Sequence, residues 1–213
     1  MQTFPVGLLQ CNCSILGDEE SGEAIIVDPG GDGPEIVRRV TERGLKVTQI
    51  VHTHAHIDHV GASAEVKAAT GGAAWLHEGD QWLLDHLDVQ AQMIGGGPPE
   101  AVVLDGFLTE GQRFDFAGSK VEVIHTPGHS PGSCCFTLAA EGRQLVFAGD
   151  VLFRGGIGRT DLWGGDTALM MESLQGKLMG FDDDTEVITG HGPATSIGVE
   201  RRDNPFLSGD FRF

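Results

Sequence analysis

Short apolar runs alternate with helically spaced ones along this chain. Ala24-Ile25-Ile26-Val27 is cut off by Asp28-Pro29-Gly30, the pattern of a strand entering a turn. Ile36, Val37 and Val40 mark one face of a helix over 35–43, stopped by Gly44. Val47 to Val51 is short and β-branched, as in a buried strand. Residues 60–70 are rich in small side chains and read as one helix ending at Gly71-Gly72. The second half repeats the theme. Strands are expected over 121–124, 134–138, 144–147 and 186–189, a helix over 167–178, and the start of a last helix over 197–202. Gly95-Gly96-Gly97-Pro98-Pro99 is the clearest internal loop and a candidate divider between two half-domains. Strands mixed with helices throughout predict an α/β fold, read here as a single domain over 1–213.

Composition excludes more than it identifies. With 40% hydrophobic and 21% charged residues the chain is ordinary for a globular protein. Its net charge of -17 is not ordinary, and it repels phosphate backbones and anionic membrane surfaces, so neither nucleic acid nor membrane is expected as a partner. Acidic runs such as Asp18-Glu19-Glu20 and Asp182-Asp183-Asp184 read as solvated surface. Met1 to Leu9 lacks a basic residue and a long apolar stretch, so it is not a signal peptide, and a cytoplasmic location is expected. Four cysteines, Cys11, Cys13, Cys134 and Cys135, are then expected as structural thiols. Cys11-Asn12-Cys13 finds no second pair with zinc-finger spacing.

The strongest chemical signal is Thr53-His54-Ala55-His56-Ile57-Asp58-His59, directly after the strand ending at Val51. Two apart in an extended loop, His54 and His56 project to the same side, whereas the consecutive Asp58 and His59 need not face the same point. One tight loop can therefore offer two ligands to each of two adjacent metals, and imidazoles with a carboxylate suit zinc or iron. Three further segments end an apolar run in the same way: His125-Thr126-Pro127-Gly128-His129, Ala148-Gly149-Asp150 and Gly190-His191-Gly192-Pro193. Each is weak alone. Together they supply His54, His56, Asp58, His59, His129, Asp150 and His191, enough for two four-to-five-coordinate metals if Asp150 bridges and water fills the rest.

This ordered series of motifs resembles the metallo-β-lactamase superfamily over nearly the whole chain, roughly Ile15 to Ile197. The resemblance implies an αββα sandwich, two mixed sheets packed face to face with outer helices. It assigns His54, His56 and His129 to one metal, Asp58, His59 and His191 to the other, and Asp150 to both. Asp28 matches a position that supports the metal loop. Asp150 is unlike the β-lactamases proper, and His56 is unlike the glutamate of the diiron flavoprotein oxidases. The segment from Gly149 through Phe153, then Gly156-Ile157-Gly158-Arg159-Thr160-Asp161 and Asn204-Pro205-Phe206-Leu207, is similar to glyoxalase II and its short relatives. Two features depart from glyoxalase II: there is no counterpart to its C-terminal helical domain, and no tyrosine for a glutathione pocket.

The implied activity is attack of a metal-bound hydroxide on a small thiolester such as S-lactoylglutathione, with Asp58 and Asp150 orienting the nucleophile or taking its proton. The metals are expected to be two divalent ions, zinc first, iron or manganese otherwise. A thiolate leaves readily, so a dedicated protein acid is less necessary than for an amide. Arg159, Arg154 and Phe153 are the candidate substrate contacts, and Arg201 and Arg202 weaker ones. His52, His77, His86 and His125 are read as structural or exposed, and Trp75, Trp82 and Trp163 as core or rim. The alternative is a mononuclear iron persulfide dioxygenase of the same fold. A lactonase ranks lower, since that branch also uses a tyrosine near the metals. Oligomeric state is left open.

Overall fold

Alternating burial along the chain resolves into two six-stranded sheets. The computed structural model describes residues 1–140 and 142–208. They fall into two compact units, residues 1–108 with 116–118, and residues 109–115 with 119–140 and 142–208.

In the first unit the sheet follows chain order: β1 (Gln2–Val6), β2 (Cys11–Asp18), β3 (Glu23–Val27), β4 (Lys46–Val51), β5 (Ala73–His77) and β6 (Gly106–Leu108). The first three strands pair antiparallel and the last four parallel. Parallel neighbours need crossovers. These are α1 (Gly33–Glu42) after β3, then α2 (Ile57–Val60) and α3 (Ser63–Thr70) after β4, then α4 (Gln81–Asp85) and α5 (Leu87–Met93) after β5. Ala24 to Val27 are all buried, as a strand covered on both faces requires. On α1, Ile36 and Val40 enter the core, while Glu35, Arg38 and Glu42 pair on the outer face.

The helix expected over 60–70 is in fact two. The break falls at Gly61-Ala62, where a Cβ on Gly61 would stand 2.7 Å from both Gly30 O and Ile57 O. The Ala62 N–H donates to Pro29 O at 3.0 Å. The turn after β3 thus intrudes on the helix and interrupts it.

The second unit holds β7 (Arg113–Phe116), β8 (Ser119–His125), β9 (Cys134–Ala140), β10 (Arg143–Gly149), β13 (Glu186–Thr189) and β14 (Thr195–Ser196), in the order β14-β13-β10-β9-β8-β7. A separate hairpin, β11 (Leu152–Phe153) and β12 (Gly156–Ile157), follows β10. The crossover α6 (Thr167–Gly176) makes β10 and β13 parallel, and α7 (Ile197–Asp203) comes last. Val146, Leu152, Met170, Leu174, Val187 and Ile197 share one core. The units divide at Leu108/Thr109, downstream of the glycine-rich loop, because that loop only leads into β6 of the first sheet.

Among the described residues no helix is long and apolar enough to cross a membrane. All four cysteines are free and buried. Cys134 and Cys135 open β9, as expected, and Cys11 and Cys13 lie in β2. Burial pushes the Cys11 thiol up to about 12, and the Cys13 thiol rises for the same reason. A thiol held neutral and out of water is a poor nucleophile. Ellman's reagent is therefore expected to titrate no cysteine rapidly in the native protein and all four after guanidinium unfolding.

Candidate functional site

In the first unit the chemistry sits on the loop after β4, which carries His54 and His56, and on the short α2 that follows, which carries Asp58 and His59. His54 packs against His56 edge-on, ring centroids 4.7 Å apart, and against His59 at 4.0 Å. Asp58 Oδ2 lies 3.7 Å from His59 Nε2. Three buried side chains position this loop. Asp28 Oδ1 accepts from the Thr53 N–H and Oδ2 from the Thr53 hydroxyl, both at 2.7 Å, and Oδ2 also faces His59 Nδ1 at 3.0 Å. The Thr53 hydroxyl has given its proton to Asp28, so it accepts from His54 Nδ1 at 3.1 Å. One carboxyl therefore places the proton on Nδ1 of two imidazoles, and with it the lone pair on Nε2, where a metal would bind. Asp80 Oδ2 accepts from the Ala55 N–H at 3.0 Å, and Gln90 bonds the Ile57 N–H and the Ala55 carbonyl. Beside the loop a cleft of about 310 Å³ is lined by Leu8, Leu9, Asp32, Asp58, Glu65 and Ile94, room for a small molecule.

The second unit gathers His129, Asp150 and His191 from the ends of β8, β10 and β13. Asp150 Oδ2 is 3.6 Å from His129 Nε2, and Oδ1 is 3.8 Å from His191 Nε2. Each carboxyl oxygen thus faces a different imidazole. His129 donates from Nδ1 to the Arg159 carbonyl at 2.8 Å, which again leaves the lone pair on Nε2. Glycines make the approach possible. A Cβ on Gly190 would stand 2.1 Å from Asp150 Oδ1, and one on Gly158 would stand 1.7 Å from the Asp150 carbonyl oxygen. Gly128 adopts φ 144 with its Cα against Met170 of α6, and this turn delivers His129.

Comparison with known proteins meets this geometry. The family model described as the metallo-beta-lactamase superfamily matches residues 6–191. The chain belongs to that superfamily. It is 40% identical over 210 residues to the hydroxyacylglutathione hydrolase GloC of Haemophilus influenzae, covering 98% of each protein. Among solved structures it is similar to the BLEG-1 B3 metallo-beta-lactamase, with TM-score 0.89, 37% identity, and 98% and 99% of the two chains covered. It is also similar to TTHA1623 in a di-iron-bound form, with TM-score 0.88, 36% identity, and 97% and 100% covered. The expected fold, two mixed sheets with helices, is that of the superfamily.

The other candidates of this superfamily member fall out unevenly. Phe153 has its ring 6.4 Å from that of His191, and Arg154 is exposed on the β11–β12 turn. The Arg159 side chain is exposed and forms a bidentate pair with Asp161 at 2.7 and 2.8 Å, so its backbone, not its guanidinium, supports His129. Arg201 bonds the carbonyls of Met179 and Phe181 and pairs with Asp183. His52 is buried and held neutral, its pKa lowered by burial, with Nδ1 donating to Trp75 O and Nε2 accepting from Ser63. His77 caps a turn, His86 bonds Trp82 O and His125 bonds Pro131 O. The sequence reading missed Asp80, Gln90 and Cys11, whose sulfur lies 3.4 Å from His59 Nδ1. Asp80 and Gln90 belong to no motif, and the Cys11-Asn12-Cys13 pattern points only to structural thiols, so burial is what reveals the three.

Two outcomes follow. Replacing Asp28 by alanine leaves the Thr53 N–H without its acceptor, at a cost of about 1–3 kcal/mol, and releases both imidazoles. Asp28→Ala is expected to weaken metal binding by about 10–100-fold, read by competition with a chromogenic chelator. Gly190→Ala is expected to lower metal affinity too, by forcing Asp150 from its place, while circular dichroism remains that of the wild type.

Proposed function

We propose that this chain is a dinuclear metal-dependent hydrolase that cleaves small acyl-thiols in the manner of glyoxalase II. The observation that carries this reading is Asp150, whose two oxygens face the Nε2 atoms of two different histidines. A carboxyl presented in that way suits a bridge between two cations. His54, His56 and His129 would hold one ion, Asp58, His59 and His191 the other, with Asp150 shared. The donor set fits divalent zinc, iron or manganese: five imidazoles and two carboxylates, of which three imidazoles have Nδ1 occupied by a hydrogen bond. The name of the 40%-identical relative from Haemophilus influenzae supports a thiolester of glutathione as the substrate class.

When bound, the metals would polarise the substrate carbonyl and lower the pKa of a water. The protein's own contribution is arrangement. Asp28, through Thr53, keeps His54 and His59 in one tautomer. Asp58 offers a carboxyl oxygen beside His59 that can orient the attacking water and accept its proton. The thiolate departs without a protein acid, because its conjugate thiol has a pKa near 8.5. Phe153 and Arg154 lie on the hairpin beside His191 and would contact the substrate there, with Arg159 further along the same segment.

The test is metal content per chain together with hydrolysis of S-lactoylglutathione on the same sample. About two metals per chain are expected, with activity abolished by a chelator, restored by the divalent ion, and reduced at least ~100-fold by Asp150→Ala. A single iron with oxygen uptake on glutathione persulfide would assign the chain to the dioxygenase reading instead. Hydrolysis of a chromogenic β-lactam without thiolester hydrolysis would align it with BLEG-1.

A further inference from the structure

Glu200 is fully buried on α7 and belongs to none of the ligand motifs. It accepts three hydrogen bonds: from Thr195 Oγ1 at 2.5 Å, from the Gly155 N–H at 2.8 Å and from Asn204 Nδ2 at 2.8 Å. Asn204, also buried, donates from the same amide nitrogen to Gly156 O at 3.0 Å, and its Oδ1 accepts from the Phe206 N–H at 3.1 Å. A residue of α7 and the residue just past its C-terminus thus grip two consecutive backbone groups, Gly155 and Gly156. These form the far end of the β11–β12 hairpin, where Gly155 has φ 71. The hairpin has only two residue pairs, Leu152 with Ile157 and Phe153 with Gly156. So small a ribbon does not hold its own shape. It leaves the chain directly after Asp150 and Val151, and it carries Phe153 to His191.

A buried carboxyl contributes less to a core than a well-packed aliphatic side chain of its size. Its use here is geometric: both oxygens are engaged, and two of the three donors belong to the hairpin or to its second tie. We propose that Glu200 and Asn204 are positioning residues, a buried clasp that fixes the β11–β12 hairpin so that Phe153 and Arg154 form a defined substrate rim beside His191. This rests on the thiolesterase reading for its kinetic consequence, but not for its structural one.

The experiment is amide hydrogen exchange over 152–157 in the full chain, paired with steady-state kinetics on S-lactoylglutathione. Asn204→Ala removes the tie to Gly156 and keeps the Glu200–Gly155 bond, so it is the gentler break; Glu200→Ala removes the grip on Gly155 and the acceptor that orients Asn204. Both are expected to speed exchange in the hairpin by at least ~10-fold, with exchange in β10 and β13 unchanged. KM is expected to rise about 10-fold in Asn204→Ala with kcat within about twofold and metal content unaltered, the signature of lost substrate contacts. Glu200→Gln should restore wild-type behaviour, because the amide oxygen can serve Gly155 and Asn204 while its NH2 donates to the Thr195 hydroxyl. Unchanged hairpin exchange in both alanine variants would overturn the clasp. Faster exchange with KM unmoved would overturn its role at the substrate. If the wild type does not hydrolyse the thiolester, the thiolesterase reading fails and exchange alone decides the clasp.

Discussion

The buried carboxyl of Asp28 is the principal anchor of the segment from Thr53 to His59, on which four of the metal-capable side chains stand. Asp28 takes hydrogen bonds from the Thr53 amide, the Thr53 hydroxyl and His59. It can do so because β3 and β4 run parallel and in register to Val27 and Val51, so the residues just past each strand end face one another. The Asp28 N–H still bonds Val51 O, as if the ladder continued. Past that point the chain must turn sharply, and Asp28 does so at φ 51. Gly30 then lies so close to Asp58 that a Cβ would stand 1.4 Å from its carbonyl oxygen. No other residue fits there. The Asp-Pro-Gly sequence after the strand is therefore a device for bringing a carboxyl under the histidine-bearing loop and its turn against the following helix.

The second unit solves the same problem with different means. At His129 it is a backbone carbonyl, that of Arg159, that accepts from Nδ1 and fixes the tautomer. Asp150 is confined by missing side chains at Gly158 and Gly190. The contrast has an electrostatic logic. A carboxyl supporting a ligand adds negative charge and raises imidazole basicity, whereas a carbonyl orients the ring with no net charge. The second unit already places one carboxyl, Asp150, against two imidazoles. Another charge there would need a further partner in a site with little room.

The parts legible in the sequence were those in which chemistry and punctuation coincide. A β-branched run followed by histidines, or by Gly-Asp or Gly-His-Gly, declares both a strand and a candidate metal-binding side chain at its end, and β4, β10 and β13 were readable for that reason. What was hidden had no such double signal. β2 interleaves Asn12, Ser14 and Gly17 with its buried residues and so lacks an apolar run. β11, β12 and β14 are two residues each, too short for any period. The helix break at Gly61 is imposed by Gly30, far away in sequence, and no local propensity foretells it. Asp80 and Gln90 act on the loop at separations of 25 and 33 residues. Arg159 carries a contact that its side chain does not announce: its carbonyl accepts from His129 Nδ1.

The charge of the chain bears on its substrate in a way that the bulk figure conceals. At -17 the surface repels anions, and the cleft beside the metal loop is itself lined by Asp32, Asp58 and Glu65. The proposed ligand set contributes two negative charges, from Asp58 and Asp150, against four positive ones on two divalent ions. The loaded centre would then be a local cation in an acidic surround. Such a centre draws an ester carbonyl, and the developing oxyanion still more strongly, while the flanking acids disfavour bulky polyanions. Arg159 does little to offset them, since Asp161 already neutralises it on an exposed surface. On the proposed thiolesterase reading, discrimination among anionic substrates would fall to the residues that shape the rim beside His191 rather than to a strong cationic clamp.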